Sequence, residues 1–205
     1  MFERKKRNSA RERLILAGIA EIEKNGVKDF SMRKVAESCS VSCATPYKHF
    51  KDKQAFIAEI IKYVNKIWYE RQLEIKGKYP DDVKLLLTET SVEYIRFLLL
   101  NPHFRSIIML KDENMTEDQV HEKSKISNFS MELINRYCAE IKMPEEVKII
   151  KTFIIRSLIY GAALMIDNGE ITYSEKNIGY IRKIIEREFN MDWKGDPTFD
   201  ILWKM

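Results

Sequence analysis

Four hydrogen-bonding side chains lie close together shortly after Val41. Thr45, Tyr47, Lys48 and His49 lie within five residues and supply hydroxyl, ammonium and imidazole groups. Groups of these types hydrogen bond to base edges and phosphate oxygens when a helix that carries them lies in the major groove of DNA. The cluster therefore predicts a nucleic-acid contact.

Catalytic and metal-binding patterns are weaker. The histidines His49, His103 and His121 are not accompanied by a nucleophile, a Gly-rich phosphate loop or a carboxylate pair at a recognisable spacing. Cys39 and Cys43 flank a turn without the four ligands that structural zinc requires. We therefore expect a protein that is not an enzyme and has no metal and no cofactor. A redox role for Cys43 beside positive charge stays open as a lesser alternative.

Helix-start signals on both sides of the cluster predict a helix-turn-helix. Ser31 is an N-cap candidate for one helix, and Ser42 is an N-cap candidate for a second, short helix. Residues 39–41 interrupt the helical pattern between them, which is the spacing of two helices joined by a tight turn. Asp52 is then positioned to cap a third helix.

These residues together resemble the DNA-binding signature of TetR/AcrR-type bacterial transcriptional regulators. The matching positions are Ser31, Val35-Ala36, Val41-Ser42, Tyr47, His49-Phe50 and Lys53. Four positions depart from the family pattern, namely Cys39 in place of Ala, Ser40 and Ala44 in place of Gly, and Pro46 in place of Leu. Pro46 falls in the first turn after Ser42, where a missing N–H is tolerated better than in a helix interior.

The resemblance implies the fold, the function and the site. The expected fold is all-α, with an N-terminal three-helix DNA-binding domain followed by a larger helical domain for ligand binding and dimerisation. The expected function is that of a ligand-responsive regulator, a repressor released from a palindromic operator by a small molecule. Phosphate contacts are expected from Ser31, Ser42, Tyr47, His49 and Lys53. Base contacts are expected from Arg33, Cys43, Thr45 and Lys48.

Composition and charge agree with a protein that has one DNA-binding end. Of the 205 residues, 45% are hydrophobic and 32% are charged, which suits a core-forming protein. Residues 1–53 hold 13 Lys and Arg against 7 Asp and Glu, whereas the remainder holds 22 against 24, so the basic excess coincides with the motif. The charged N-terminus, the lack of a long apolar run and the three cysteines predict a cytoplasmic protein without a membrane segment.

Two domains are expected, at residues 1–51 and 52–205. The first begins with a basic arm at 1–8, which is too polar to pack and is expected to be disordered in the free protein. Apolar spacing predicts a first helix from Ser9 to Asn25 and then helices at 52–77, 81–100, 103–111, 117–142, 145–168 and 174–190. No linker separates the motif from the helix that begins at Asp52. The tail at 191–205 is expected to pack back through Trp193, Phe199, Leu202 and Trp203.

The larger domain carries two further predictions. An apolar or amphipathic effector is expected among Trp68, Tyr94, Phe97, Phe104, Met109, Phe129, Tyr137 and Phe153, although each of these alone is more often plain core. The helix at 145–168 is apolar almost all round and must be covered on several faces. A second subunit is expected to cover part of it at Ile155, Ala162 and Ile166, and the alternative is a central core helix.

A helical adaptor that binds only protein fits the same helical spacing and is the alternative function. Such an adaptor has no use for Tyr47, Lys48 and His49 together with a basic arm at residues 4–7. Sequence-specific DNA binding therefore distinguishes the two hypotheses.

Overall fold

The computed structural model describes residues 9–109, 115–191 and 193–194. All regular secondary structure in these residues is helical, which confirms the predicted all-α fold. The α-helices are α1 (Ala10–Asn25), α2 (Met32–Ser38), α3 (Lys53–Lys78), α4 (Val83–Leu100), α5 (Pro102–Ile108), α6 (Glu117–Glu140), α7 (Glu145–Asp167) and α8 (Glu175–Asn190). The predictions for the basic arm at 1–8 and for Phe199, Leu202 and Trp203 of the tail lie outside the described residues.

Side-chain caps explain why three of these helices begin where the sequence predicts. In each case a side-chain oxygen accepts a hydrogen bond from the backbone N–H three residues later. The bond length is 3.1 Å for Ser9 and 3.4 Å for Ser31. It is 2.8 Å for Asp52, which starts α3 directly after the helix-turn-helix.

The turn after α2 has a backbone conformation that suits glycine. Val41 N donates to Ala36 O and Ser40 N donates to Glu37 O, both at 3.0 Å, and these are the two bonds of a Schellman cap. Ser40 has φ +56° in this cap, in the left-handed region. Non-glycine residues adopt this region at a cost in free energy. The turn of the helix-turn-helix is therefore strained at Ser40.

We expect Ser40→Gly to stabilise the protein. The left-handed backbone costs serine about 1–2 kcal/mol, and the larger unfolded-state entropy of glycine offsets about half of that gain. The melting temperature should rise by about 1–3 °C, as measured by calorimetry. Ser40→Val is the contrasting variant, and it should melt below the wild type because a β-branched side chain fits this backbone worst. A lower melting temperature for the glycine variant than for the wild type would contradict this account.

The recognition segment, residues 42–49, consists of tight turns rather than an α-helix. Thr45 N donates to Ser42 O at 2.8 Å and Lys48 N donates to Thr45 O at 3.1 Å, and Pro46–Lys48 is a 3₁₀-helix. In an α-helix that started at Ser42, the residue at position 46 would donate to Ser42 O. Proline has no N–H, so Thr45 closes a shorter turn instead. The predicted second helix is thus present, but it is short and 3₁₀ in character.

The chain divides into two compact units. The head unit comprises residues up to Tyr69 together with Asn101–Ile126, and the body unit comprises Glu70–Leu100 together with residues from Ser127 onward. Helices α3 and α6 each contribute residues to both units. The domain boundary expected after residue 51 stays a prediction, since compactness groups the first part of α3 and all of α5 with the helix-turn-helix.

The core of the head unit holds the helix-turn-helix on α1 and α3. The rings of Phe50 and Phe56 stack with their centroids 3.9 Å apart, and Phe30 meets Phe56 edge-on at 5.3 Å. Gly18 lies where a Cβ atom would come within 2.7 Å of Ile60 Cδ1. A side chain at Gly18 would therefore force the side chain of Ile60 on α3 to shift.

Side-chain hydrogen bonds also fasten the start of α6 to α3 within the head unit. Gln119 Nε2 donates to a backbone carbonyl at the start of α3 at 3.0 Å. Asn65 Nδ2 donates to Glu122 O at 2.6 Å and Trp68 Nε1 donates to Ile126 O at 3.1 Å. Trp68 is buried, and its indole N–H has this structural partner.

In the body unit α4 packs against α7 and α8, and a buried lysine joins the last two helices. The Lys151 ammonium donates to Glu188 O at 2.8 Å and to Met191 O at 3.1 Å, and it forms a 3.4 Å ion pair with the Glu188 carboxylate. Backbone carbonyls at a helix C-terminus carry partial negative charge. The lysine therefore caps the C-terminal end of α8.

Helix α7 is buried on one face and exposed on the other. Its buried residues are Val147, Lys151, Ile155, Ile159, Ala163 and Ile166. Among the described helices, α7 is also long and apolar enough to cross a membrane, judged by length and composition alone. A buried, ion-paired lysine on this helix is typical of a helix packed into a protein core.

Candidate nucleic-acid interface

The head unit brings together all nine residues for which DNA contacts were predicted. Six of them are exposed, namely Arg33, Ser42, Cys43, Tyr47, Lys48 and His49. Three are half-buried, namely Ser31, Thr45 and Lys53. The Tyr47 side chain is 60% exposed. Neighbouring exposed donors beside a large exposed aromatic ring form a surface suited to phosphates and base edges.

Two buried side chains anchor the recognition segment. Pro46 is buried near the middle of the segment, and Phe50 lies directly after the end of the segment, in the stack with Phe56. The Arg11 guanidinium covers the Phe50 ring at 5.4 Å from the centroid. Because both anchors point inward, the side chains of residues 47–49 between them are held on the outside.

The hydroxyl groups of Ser31 and Ser42 each keep a hydrogen-bond donor for an outside partner. Ser31 Oγ accepts from Lys34 N at 3.4 Å, and Ser42 Oγ accepts from Ala44 N at 3.3 Å. A hydroxyl that accepts through a lone pair still has its own proton to donate. Both side chains are therefore compatible with the predicted phosphate contacts.

Arg33 and Lys53 already have partners within the protein. Arg33 Nε donates to Glu37 Oε1 at 2.9 Å, and this hydrogen bond raises the pKa of the fully exposed guanidinium. A base contact by Arg33 would have to replace or share this carboxylate. Lys53 Nζ donates to Lys28 O at 2.7 Å, which leaves fewer of its three donors for a phosphate.

The three cysteines are free thiols in different surroundings. Cys39 Sγ lies 3.7 Å from Arg13 O, and Cys43 is exposed. Cys138 is buried, and burial raises the pKa of its thiol. Cys43 is therefore the thiol that solvent reaches most easily.

The residues predicted for the effector site are split between the two units. Trp68, Phe104 and Met109 belong to the head unit, and Tyr94, Phe97, Phe129, Tyr137 and Phe153 belong to the body unit. Tyr94 and Phe97 lie 6.3 Å apart, and Phe129 and Tyr137 pack on an apolar cluster formed by Ile75, Val83, Leu86, Leu87 and Leu133. Met109 is exposed and Phe153 is 72% exposed, so neither lines a buried site within one chain.

Sequence reasoning missed two buried polar side chains in the body unit. Gln72 on α3 is 2% exposed and Thr90 on α4 is 3% exposed. Gln72 Nε2 and Thr90 Oγ1 have no hydrogen-bond partner among the described residues. Both are polar residues on an otherwise apolar helix face, and that interruption of the pattern was visible in the sequence.

Among the described residues, the outer face of α7 carries exposed apolar side chains, and α8 carries a similar stripe. On α7 the exposed apolar residues are Ile149, Phe153, Leu164 and Met165, and on α8 they are Tyr180 and Ile184, with Met191 directly after the helix. A Cβ atom at Gly161 would meet nothing within 4 Å. The dimer residues predicted at Ile155 and Ile166 are instead buried in the chain's own core, because they lie on the opposite face of α7. Ala162 is half-buried.

Comparison with known proteins agrees with this geometry. Residues 14–60 match the family model of bacterial regulatory proteins of the tetR family. The uncharacterized HTH-type transcriptional regulator YerO of Bacillus subtilis (strain 168) is 24% identical over 88% of this chain and 63% of that protein. The HTH-type transcriptional regulator AcrR of Shigella flexneri is 25% identical over 65% of this chain and 66% of that protein. The chain thus spans about two thirds of the length of these curated relatives.

A similar fold is found in a solved structure of a TetR family regulator. A TetR family transcription regulator from Marinobacter aquaeolei VT8 superposes with a TM-score of 0.71 at 19% identity, over 87% of this chain and 94% of that chain. The resemblance deduced from the spacing of the motif is confirmed by the match at residues 14–60, which contains the whole helix-turn-helix. The DNA-binding region matches the tetR family model, and the chain is similar in sequence and in fold to TetR/AcrR-type regulators.

Proposed function

We propose that this protein is a homodimeric transcriptional repressor that binds a palindromic DNA operator and is released from it by a small molecule. The observation that carries the proposal is the exposed recognition segment with its donors Tyr47, Lys48 and His49, which the buried residues Pro46 and Phe50 anchor. Each subunit then supplies one helix-turn-helix in its head unit. Two head units related by a two-fold axis bind two half-sites about one helical turn apart. Such a protein acts in the bacterial cytoplasm.

We assign the individual contacts according to the family motif. Ser31, Ser42, Tyr47, His49 and Lys53 are assigned to phosphates. Arg33, Cys43, Thr45 and Lys48 are assigned to base edges. Because Tyr47 and Lys48 are exposed and neighbouring, they carry the largest share of the proposed contact.

The dimer is proposed to form through the uncovered apolar stripes of α7 and α8. These helices pack against each other in the body unit, so their stripes lie on neighbouring elements. Phe153 and Leu164 supply large apolar side chains, and the open space at Gly161 lets a helix of a second copy approach closely. An isologous interface of this kind gives a two-fold axis.

The effector is proposed to act through α3. This helix is continuous from its cap at Asp52 to Lys78 and so carries residues of both the head unit and the body unit. A ligand that binds more tightly when α3 is tilted shifts the population towards the tilt. Coupling of this type typically amounts to about 5–150-fold in affinity, and linkage makes it equal for operator and ligand.

Selection of DNA fragments from a random library by the purified protein tests the function. We expect enrichment of one near-palindromic sequence. Lys48→Ala should then weaken binding to that sequence by about 1–3 kcal/mol, because a base contact is lost. Binding to random DNA should change little, and both affinities are to be measured by fluorescence anisotropy at two salt concentrations.

Lys24→Ala is the matched control for Lys48→Ala. It removes the same charge from an exposed position of the head unit, at the end of α1 outside the recognition segment. It should leave the preference for the selected sequence unchanged. The proposal fails if the wild type binds selected and random DNA equally well, which is the behaviour expected of a protein-binding adaptor.

A further inference from the structure

Three buried polar atoms of the body unit have no hydrogen-bond partner among the described residues. One of them, Glu89 Oε1, is ion-paired with Arg182. The other two, Gln72 Nε2 and Thr90 Oγ1, lie at about one level of helices α3 and α4. Arg71 on α3 contacts Glu93 on α4 at 2.7 Å, and Ile75 on α3 packs in one cluster with Leu86 and Leu87 on α4. The two helices therefore run antiparallel. Gln72 lies between positions 71 and 75, and Thr90 lies between positions 87 and 93, so the two residues lie at about the same height along the two helices.

The surroundings of this level are apolar on both sides. Towards the α3–α4 turn lies the apolar cluster that includes Ile75 and Leu87. In the other direction, one turn beyond Thr90, the Tyr94 ring lies 6.3 Å from both Phe97 and Tyr160. Buried donors left without partners in an apolar interior are costly, and native proteins keep few of them.

The charges of the body unit leave no excess for a charged ligand. Among its described residues the buried charged side chains are Glu89, Lys151 and Glu188. Glu89 is ion-paired with Arg182, and Lys151 is ion-paired with Glu188. At the level of Gln72 and Thr90 the partly buried Arg71 is likewise paired with Glu93. An anion or cation buried there would therefore find no unpaired counter-charge among these residues, and burial of an unpaired charge is strongly unfavourable.

We propose that the effector of this protein is a neutral carbonyl compound whose oxygen accepts hydrogen bonds from Gln72 Nε2 and Thr90 Oγ1. A carbonyl oxygen has two lone pairs and can accept from both donors at once. The hydrocarbon part of the molecule packs against Tyr94, Phe97 and the apolar cluster. The inference rests on the proposed ligand response and names the chemical class of its ligand.

The melting temperatures of ligand-free variants test whether the two groups are unpartnered. Thr90→Val and Gln72→Leu should melt about 2–4 °C above the wild type, because each replaces an unpaired buried polar group by an apolar one of similar size. Thr88→Val is the matched control, since Thr88 is equally buried on α4 but its hydroxyl donates to Lys84 O at 3.0 Å. It should melt at or below the wild-type temperature. If both test variants melt below the wild type, the two groups already have partners and the proposal is overturned.

Binding of matched ketones and alkenes to the DNA-free dimer tests the ligand class. The probes are three pairs that differ only in C=O against C=CH₂: acetophenone and α-methylstyrene, 2-acetylnaphthalene and 2-isopropenylnaphthalene, and 2-dodecanone and 2-methyl-1-dodecene. In at least one pair the ketone should bind the wild type about 5–10-fold more tightly than the alkene, as expected for one or two net hydrogen bonds. Thr90→Val and Gln72→Leu should lose this preference, whereas Thr88→Val should keep it.

The proposal is overturned if no ketone is preferred over its alkene, or if Thr88→Val loses the preference as completely as Thr90→Val does. Because these measurements contain no DNA, they are independent of operator binding. If a preferred ketone leaves the affinity for the operator unchanged, the proposed release from the operator by a ligand is refuted. Ketone binding at Gln72 and Thr90 would not be affected by that result. Failure of the selection experiment would likewise leave the binding result intact.

Discussion

Phe153→Glu is expected to convert the protein into folded monomers that bind the operator about 100-fold or more weakly than the wild type. Phe153 is 72% exposed in one chain and lies in the apolar stripe of α7, so the variant should keep the fold of the subunit. A carboxylate placed in the centre of an apolar interface would be buried without a partner on association. The monomer has a single head unit and loses the second half-site. Light scattering at micromolar concentration and operator titration measure the two effects.

Leu73→Glu is the control for Phe153→Glu. Leu73 is also an exposed apolar residue of the body unit, but it lies on α3 and not on α7 or α8. Its variant should stay dimeric with unchanged operator affinity. A dimeric Phe153→Glu protein, or a wild type that is monomeric and still binds its operator tightly, would contradict the proposed interface. A charge at Ile155 would not test the interface, because that side chain is buried in the core of its own chain and its substitution would unfold the protein.

Lys151→Met is expected to lower the free energy of unfolding by about 3–5 kcal/mol. The substitution leaves the Glu188 carboxylate buried without its partner, and it also removes the two bonds that Lys151 donates to Glu188 O and Met191 O. For a chain of this length each kcal/mol shifts the melting temperature by about 2–4 °C. Calorimetry or urea unfolding followed by circular dichroism would measure the loss.

Two further variants separate the contributions to this loss. Lys148→Met makes the same substitution on the same helix, but Lys148 pairs with the exposed Glu145. It should cost less than about 1 kcal/mol. Glu188→Gln combined with Lys151→Met should recover only part of the stability, because the backbone carbonyls at the end of α8 stay without the lysine. Equal stability of the Lys151→Met and Lys148→Met proteins would show that the buried pair contributes nothing.

The helix-turn-helix could be predicted from the sequence because the interactions that form it are local. Ser31 and Asp52 cap helices through bonds that reach only three residues along the chain, and such bonds depend on residue type and spacing. The same holds for Pro46, whose missing N–H makes the recognition segment 3₁₀ in character. The strain at Ser40 could also be anticipated, since the family pattern has glycine at that position. The DNA contacts of individual residues stay predictions.

The effector region could be predicted only in part because it depends on which helix faces meet. The sequence indicated large apolar residues at helical spacing, but it did not show that Trp68 and Tyr94 belong to different compact units. The sequence also did not show that Gln72 and Thr90 lie at about the same height along α3 and α4. Contacts such as the one between Arg71 and Glu93 set this register. Contacts between residues distant in sequence leave no local pattern.

The sequence by itself determined the all-α class, the order and approximate bounds of the helices, the position of the helix-turn-helix and the placement of the basic charge. These properties follow from periodicity, capping and charge, each of which acts over a few residues. Only the tertiary structure decided which face of α7 is buried. The helix is apolar almost all round, so its pattern favours no face, and packing against α4 and α8 buries Ile155 while it leaves Phe153 in solvent.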